Sequence, residues 1–491
     1  MALIYNASFN SQTRVLSLSD RAGNVISSCE VPSKGNELML TATANNSSVK
    51  LIKNGTLSNT YEVNTGYGWT AYTFGTVINL NRGERCRWRC SAHPTAQGIN
   101  DYVQFVMTGT IEASGNVNSM LSSSFEYLTS LSGYGYAFAH LFQGCTSLMQ
   151  APELPATTLT ASCYESMFRG CTSLTQAPAL PATTLASNCY NSMFYGCRSL
   201  VNAPALPATT LAQYCYSSMF YGCKSLTQAP YLSATTLAPY CYSSMFGGCA
   251  SLTQAPVLPA TTLASSCYSS MFYGCTSLVN APLLPATTLA SSCYSSMFNG
   301  CTSLVNAPSL PATTLASNCY SGMFTECGSL TQAPALPATT LAPGCYAYMF
   351  QYCRALIQAP ELPATTLAEN CYDNMFFRCR SLAQAPALPA ITLESRCYLK
   401  VFCGCSLITE VYIAATTTAE YALSNWLSDV AASGTVYADP SLELPTDSAS
   451  GVPVGWVRAK LPGTRSMEPE PEPVLRSSKK TKQRIDPYLI P

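Results

Sequence analysis

The chain has 491 residues, 47% of them hydrophobic, enough for several domains with buried cores and too apolar for disorder to be the main state. Only 10% of the residues are charged and 25 basic groups balance 25 acidic ones, so no whole-molecule field draws nucleic acid or an anionic membrane. Two histidines, His93 and His140, exclude chemistry built on several imidazoles; no apolar run reaches the ~18 residues of a membrane span, and the opening segment lacks the pattern of a secretory leader, so the thiols are expected to be made in a reducing compartment.

Residues 1–115 carry period-two runs broken by Gly and Asn, such as Ser48-Val49-Lys50-Leu51-Ile52-Lys53 and Val77-Ile78-Asn79-Leu80, which predict a small β-sandwich-like domain. Its sharpest strand is Arg85-Cys86-Arg87-Trp88-Arg89-Cys90. Alternation sets Cys86, Trp88 and Cys90 on one face and three arginines on the other. The arginines read as a solvated face that discourages edge pairing, or as a contact for an acidic partner. Cys29, Cys86, Cys90 and His93 are an alternative zinc set, but an apolar Trp88 between the thiols is more simply a core face, and no metal is assigned. Residues 116–140 are expected to be an adaptor that joins this domain to an array of coils and covers the first of them.

That array, residues 141–406, obeys one period. Cys163 to Cys397 recur every 26 residues, and a second column from Cys145 to Cys405 does the same, each member eight residues after its neighbour in the first; together they hold 21 of the 25 cysteines. One unit reads CYSSMFYGCTSLVNAPLLPATTLASS. An uninterrupted period in this range implies a solenoid whose coils touch only their neighbours, and about ten coils at the ~4.8 Å strand spacing make a rod of ~50 Å. Ser-x-Cys-Tyr-x-x-Met-Phe-x-Gly reads as one short helical turn with a polar cap and a Gly stop. Ser-Leu-x-Gln/Asn-Ala-Pro and Thr-Thr-Leu read as extended pieces ended by proline. The amides from Gln150 to Gln384 should stack on one another, bonding from coil to coil.

The thiols could be disulfides, metal ligands, nucleophiles or packing. Cysteines eight apart straddle a turn beyond the ~7 Å that a bridge tolerates, no CxxC or histidine cluster accompanies them, and no cation recurs beside them to hold a thiolate. Buried packing is the preferred reading.

After Cys405, Thr417-Thr418-Ala419-Glu420 forms a capping box, and Leu423, Trp426, Leu427 and Val430 share one side of the helix it would start; Gly434-Thr435-Val436-Tyr437 reads as a short strand. Residues 407–462 should therefore close the open end. Residues 463–491 change character to a Glu-Pro run, a basic stretch and the apolar tip Ile485, Tyr488, Leu489 and Ile490, a tethered docking peptide or else a solvated tail.

Met-Phe-Tyr-Gly-Cys-Thr-Ser-Leu at 271 to 278 resembles the core of BspA-like leucine-rich repeats, and Leu-Pro-Ala-Thr-Thr-Leu-Ala at 284 to 290 resembles a 26-residue version associated with gut Bacteroidales and their phages and prophages. Gly68-Trp69-Thr70-Ala71-Tyr72 and Gly451-Val452-Pro453-Val454-Gly455-Trp456 resemble segments that bracket such arrays. The resemblance implies a mainly β leucine-rich-repeat solenoid with short helical turns and a non-catalytic surface for attachment or protein contact.

An enzyme needs converging acids, bases or metal ligands, whereas Glu153, Glu326, Glu361, Glu369 and Asp373 are scattered over different columns, so a binding protein without cofactor is expected. Comparing coils with one another, the positions after Met-Phe and after the second Cys vary most, and Tyr195, Arg198, Tyr221, Lys224 and Tyr273 make the candidate surface for a glycan or protein of a host cell, or tolerated surface drift. The expected setting is a phage or prophage virion, as a tail or host-attachment component made in the host cytoplasm, with contacts to other virion proteins through the N-terminal domain or the tail. A bacterial cell-surface adhesin is the alternative, and an intracellular scaffold a third.

Overall fold

The computed structural model describes residues 36–92, 97–122, 125–448 and 450–462, together with the backbone of three earlier strands. Those strands, β1 (Asn6–Asn10), β2 (Val15–Ser19) and β3 (Val25–Glu30), form an antiparallel meander.

Two sheets make up the domain that precedes the array. β4 (Leu38–Ala42), β6 (Thr60–Asn64), β7 (Trp69–Ala71), β9 (Arg85–Ala92), β11 (Ile111–Ser114) and β12 (Leu148–Gln150) make one, in the order β12-β11-β4-β9-β6-β7. β5 (Ser47–Asn54), β8 (Ile78–Leu80) and β10 (Tyr102–Thr108) make the other, in the order β10-β5-β8. The period-two pattern places Cys86, Trp88 and Cys90 inside, and Trp88 meets Phe105 across the interior edge-to-face at 5.1 Å. β12 already belongs to the first coil of the array, and its parallel pairing with β11 runs the domain's sheet directly into the stack.

Within each coil the expected helical turn is replaced by a run of successive β-turns. In the unit from 266 to 275, Ser266, Tyr268, Ser270, Phe272 and Gly274 donate their N–H to carbonyls one coil away at 2.7–3.0 Å, while Cys267, Ser269, Met271, Tyr273 and Cys275 close turns within their own coil at 3.0–3.2 Å. Every second N–H thus leaves the coil, and no i→i−4 series can form. Ser266, Ser270 and Gly274 also sit in the left-handed region at φ 52°, 54° and 66°, which breaks a right-handed helix at each fourth residue. The arrangement leaves no amide of this run unpaired, which is what burial demands. The extended pieces are single parallel bridges, such as Gln254 to Asn280 and Thr288 to Thr314; the expected bond between side-chain amides of adjacent coils is made by Asn306 Nδ2 to Asn280 Oδ1 at 2.9 Å, while other members of the column meet through backbone bridges such as Gln150 to Gln176.

Because like residues lie over like, the core is a set of columns. One runs through twelve phenylalanines, from Phe105 in β10 to Phe402, with centroids 5.3–5.8 Å apart. A second starts at Phe138 and continues from Tyr164 to Tyr398 at 5.5–5.9 Å. Each buried ring contributes about 1.5–3 kcal/mol through lost water contact and about 0.5–1.5 kcal/mol through its stacked neighbour. The second cysteine column has a defined partner. Each thiol from Cys145 to Cys405 donates to the phenylalanine carbonyl of the preceding coil at 3.0–3.1 Å, as Cys275 Sγ does to Phe246 O.

The helix expected from Thr417 onward is absent for the same reason. Carbonyls of Ala422, Ser424, Trp426 and Ser428 accept from Tyr398, Lys400, Phe402 and Gly404 at 2.7–3.0 Å, and Tyr421, Asn425 and Asp429 repeat the left-handed residue every fourth position. This segment is a further coil in which Trp426 takes the place of the methionines, its carbonyl accepting from Phe402 as that of Val401 accepts from Phe376. β13 (Glu410–Ile413), β14 (Gly434–Ala438) and β15 (Trp456–Lys460) then pair in parallel, and the indoles of Trp426 and Trp456 bond to Gly451 O at 3.0 Å and Ala431 O at 2.7 Å.

Candidate functional site

The residue after Met-Phe points out of the turn run, so successive coils align these side chains along one edge. Arg169 lies over the ring of Tyr195 at 4.7 Å, and Tyr195 stacks on Tyr221 at 4.9 Å with 8° between the planes. Tyr221 then leans over Gly247, where an added Cβ would meet its ring at 2.5 Å. Tyr273 continues the edge and is exposed, while Tyr195 and Tyr221 are half-buried by their stacking. Arg198 and Lys224 project exposed from the next turn of the coils that carry Tyr195 and Tyr221. The five candidate residues therefore lie in two columns across four coils, with Gly247 between Tyr221 and Tyr273. The stacked faces of Tyr195 and Tyr221 are used on each other, leaving ring edges and hydroxyls for a partner.

Sequence comparison of the coils missed a second exposed stripe. The position between Pro and Leu in Ala-Pro-x-Leu holds Tyr231, Val257 and Leu283 in three successive coils, 71%, 67% and 80% exposed. The same coil-to-coil comparison applied to this position would have found it. Beside it, Gln-Ala-Pro segments of adjacent coils bound shallow grooves, one of about 430 Å³ between the coils of Gln358 and Gln384. Tyr214 and Tyr240, stacked at 4.5 Å, form a further pair that was not anticipated.

The arginine stripe of β9 is largely committed within the chain. Arg89 pairs with Glu62 at 2.6 Å and packs over Trp69 at 4.2 Å, and Arg87 reaches Glu37 at 3.9 Å. This explains a structural use for Trp69 and leaves Arg85 as the exposed member of the three.

Every cysteine among the described residues is free and buried. Burial holds the thiols protonated: Cys86, Cys145 and Cys197 are pushed up to about 12 and Cys267 to about 11 from an ordinary 9.0. Such groups are poor nucleophiles and poor ligands at neutral pH. Among the described residues no group of three or more His, Cys, Asp or Glu side chains is placed to hold a metal ion, and Cys29 and His93 of the alternative zinc set lie outside the described side chains. So do Ile485, Tyr488, Leu489 and Ile490. No helix of the described residues is long and apolar enough to cross a membrane.

A stacked, turn-built repeat with a thiol and aromatic core defines a short-period solenoid of the leucine-rich type. Residues 122–253 and 239–357 match the family described as BspA type Leucine rich repeat region (6 copies), and it is to this family that the chain belongs. Neither a curated protein nor a solved structure matches the chain. BspA-type repeats are a binding and structural repeat, and the array is a surface of that kind.

Proposed function

We propose that this chain is an attachment protein, held in a larger assembly at its ends and presenting the outer columns of its array to a protein or glycan on a cell surface. The observation that carries this reading is the division of labour inside each coil. From Cys163 to Cys379 the Phe, Tyr, Met and Cys columns do not vary and are buried, while the position after Met-Phe changes freely through Arg169, Tyr195, Tyr221, Gly247, Tyr273 and Asn299. Outer residues can therefore change without disturbing the stack, as recognition surfaces on solenoids require. Tyr195, Arg198, Tyr221, Lys224 and Tyr273 supply the aromatic and cationic character that anchors partners.

The carrier in this proposal is a phage or prophage virion, the chain being a tail or host-attachment component whose apolar tip at Ile485, Tyr488, Leu489 and Ile490 docks on a neighbouring virion protein. Its support is the resemblance to 26-residue repeats of Bacteroidales phages. A bacterial surface adhesin is the second reading, favoured by the surface or extracellular placement general among BspA-type proteins. Quantitative mass spectrometry separates them. A fixed copy number in purified particles released after induction supports the virion, enrichment in the cell envelope supports the adhesin, and recovery in the cytosol alone overturns both. Binding of the labelled chain to intact host cells should fall about tenfold when Tyr195, Tyr221 and Tyr273 are replaced together by Ala; unchanged binding would remove that edge from the contact.

A further inference from the structure

The last left-handed position of each turn run is glycine in eight coils, at Gly144, Gly170, Gly196, Gly222, Gly248, Gly274, Gly300 and Gly404. The capping coil departs from this at Asp429, and within the array three successive coils do. Glu326, Tyr352 and Arg378 occupy the position at φ 61°, 60° and 59°, a conformation that costs a side-chain-bearing residue about 1 kcal/mol or more each. Drift alone gives no reason for three consecutive long polar side chains at the position where the backbone most favours glycine.

They gather around a cavity. Thr302, Glu326, Gly328, Tyr352, Arg354 and Arg378 line an open pocket of about 570 Å³, within the ~300–1,000 Å³ of ligand sites. Gly328 is what opens it. The column of Gly328 holds Thr276 and Thr302 in the preceding coils and Arg354 and Arg380 in the following ones, so glycine deletes the one side chain that would fill the centre. Arg378 is held in place, its stem over Gly404 and its guanidinium 5.3 Å from the Phe377 ring and 5.9 Å from that of Tyr352, while Tyr352 meets Phe377 edge-on at 5.4 Å. Glu326, Arg354 and Arg378 are all exposed, and none makes an ion pair among the described residues.

The chemistry of this set is specific. Two guanidinium forks match one carboxylate or sulfate, Glu326 and Thr302 suit hydroxyl groups, and Tyr352 offers an apolar surface to a sugar ring. Glu326 disfavours a bare, multiply charged anion, and a neutral sugar would leave both guanidinium groups uncompensated. We propose that Thr302, Glu326, Tyr352, Arg354 and Arg378, opened by Gly328, form a binding site for a singly acidic sugar unit of a glycan. This site is separate from the edge of Tyr195, Tyr221 and Tyr273 and stands whether the chain is carried on a virion or on a cell.

Titration calorimetry of the full chain tests it, with trigalacturonic acid as the carboxylate probe, a singly sulfated disaccharide as the sulfate probe, and maltotriose and sodium sulfate as controls. At least one acidic sugar should bind more tightly than either control, and which one does identifies the acid. Arg354→Ala and Arg378→Ala should each weaken it about tenfold or more. Gly328→Thr, which restores the residue two neighbouring coils carry and so keeps the fold, should do the same. Arg82→Ala, which removes an exposed guanidinium of the N-terminal domain, should leave it unchanged. The site is refuted if neither acidic sugar binds below about 10 mM, if sodium sulfate or maltotriose binds as well, or if Gly328→Thr and Arg354→Ala have no effect.

Discussion

The sandwich and the array bury similar residues by opposite logic. In the sandwich each interior side chain meets different partners drawn from distant parts of the chain, as Trp88 meets Tyr72 at 4.7 Å and Phe105 at 5.1 Å. In the array each interior residue meets chiefly its own counterpart one coil away, as Phe272 meets Phe246 and Phe298 at 5.7 and 5.6 Å. A heterogeneous core fails as a unit, whereas a columnar core multiplies whatever one coil does.

The largest expected effect exploits this multiplication. Array thiols titrate near 9.0 when exposed but are pushed up to about 12 at Cys145, Cys189, Cys301 and Cys353. Between those values the unfolded chain releases protons that the folded chain keeps. The associated stability is therefore intact below pH 9 and lost as pH rises above it, at up to about 1.4 kcal/mol per thiol per pH unit. The two columns hold 21 thiols and the described sandwich two, Cys86 and Cys90, so the loss above pH 9 falls chiefly on the array. Circular dichroism from pH 8 to 11 should show the array melting near pH 10, with hydrogen exchange still protecting β4, β5, β9 and β10. Simultaneous loss of both regions would show that their cores are not independent.

Next in size, Phe272→Ala and Trp88→Ala should each cost about 3–5 kcal/mol locally. The first should raise hydrogen exchange in the mutated coil and its immediate neighbours. The second should loosen the whole sandwich and, through Phe105, the first coil. Uniform exchange along the array in Phe272→Ala would contradict nearest-neighbour stacking.

Smallest is a matched pair at the left-handed column. At Gly274 an added Cβ would sit 3.9 Å from Gly248 Cα, so Gly274→Ala should cost only the ~1 kcal/mol of its backbone conformation. Tyr352→Gly should relieve about the same strain yet lose the ring packed on Phe377. Denaturant midpoints should fall for the first and change little or rise for the second.

The period, the inward-facing columns and the alternation around Trp88 were all legible in the residues, because self-similarity forces like onto like and a half-buried strand forces alternation. The helical turn at 265–274 and the helix from Thr417 were not. A capped apolar cluster looks the same locally whether its amides bond inward or to the next coil. The pocket was equally hidden: Glu326 read as one of several scattered acids, since its neighbourhood with Arg354 and Arg378 exists only once three coils are superposed.

Composition and period thus determined that this chain would stack, what would fill its interior and that its thiols would be buried. Tertiary structure decided the course of the backbone hydrogen bonds and which exposed residues became neighbours. The reason is that burial depends on residue type repeated along the chain, while hydrogen-bond direction and surface convergence depend on where the next coil lies.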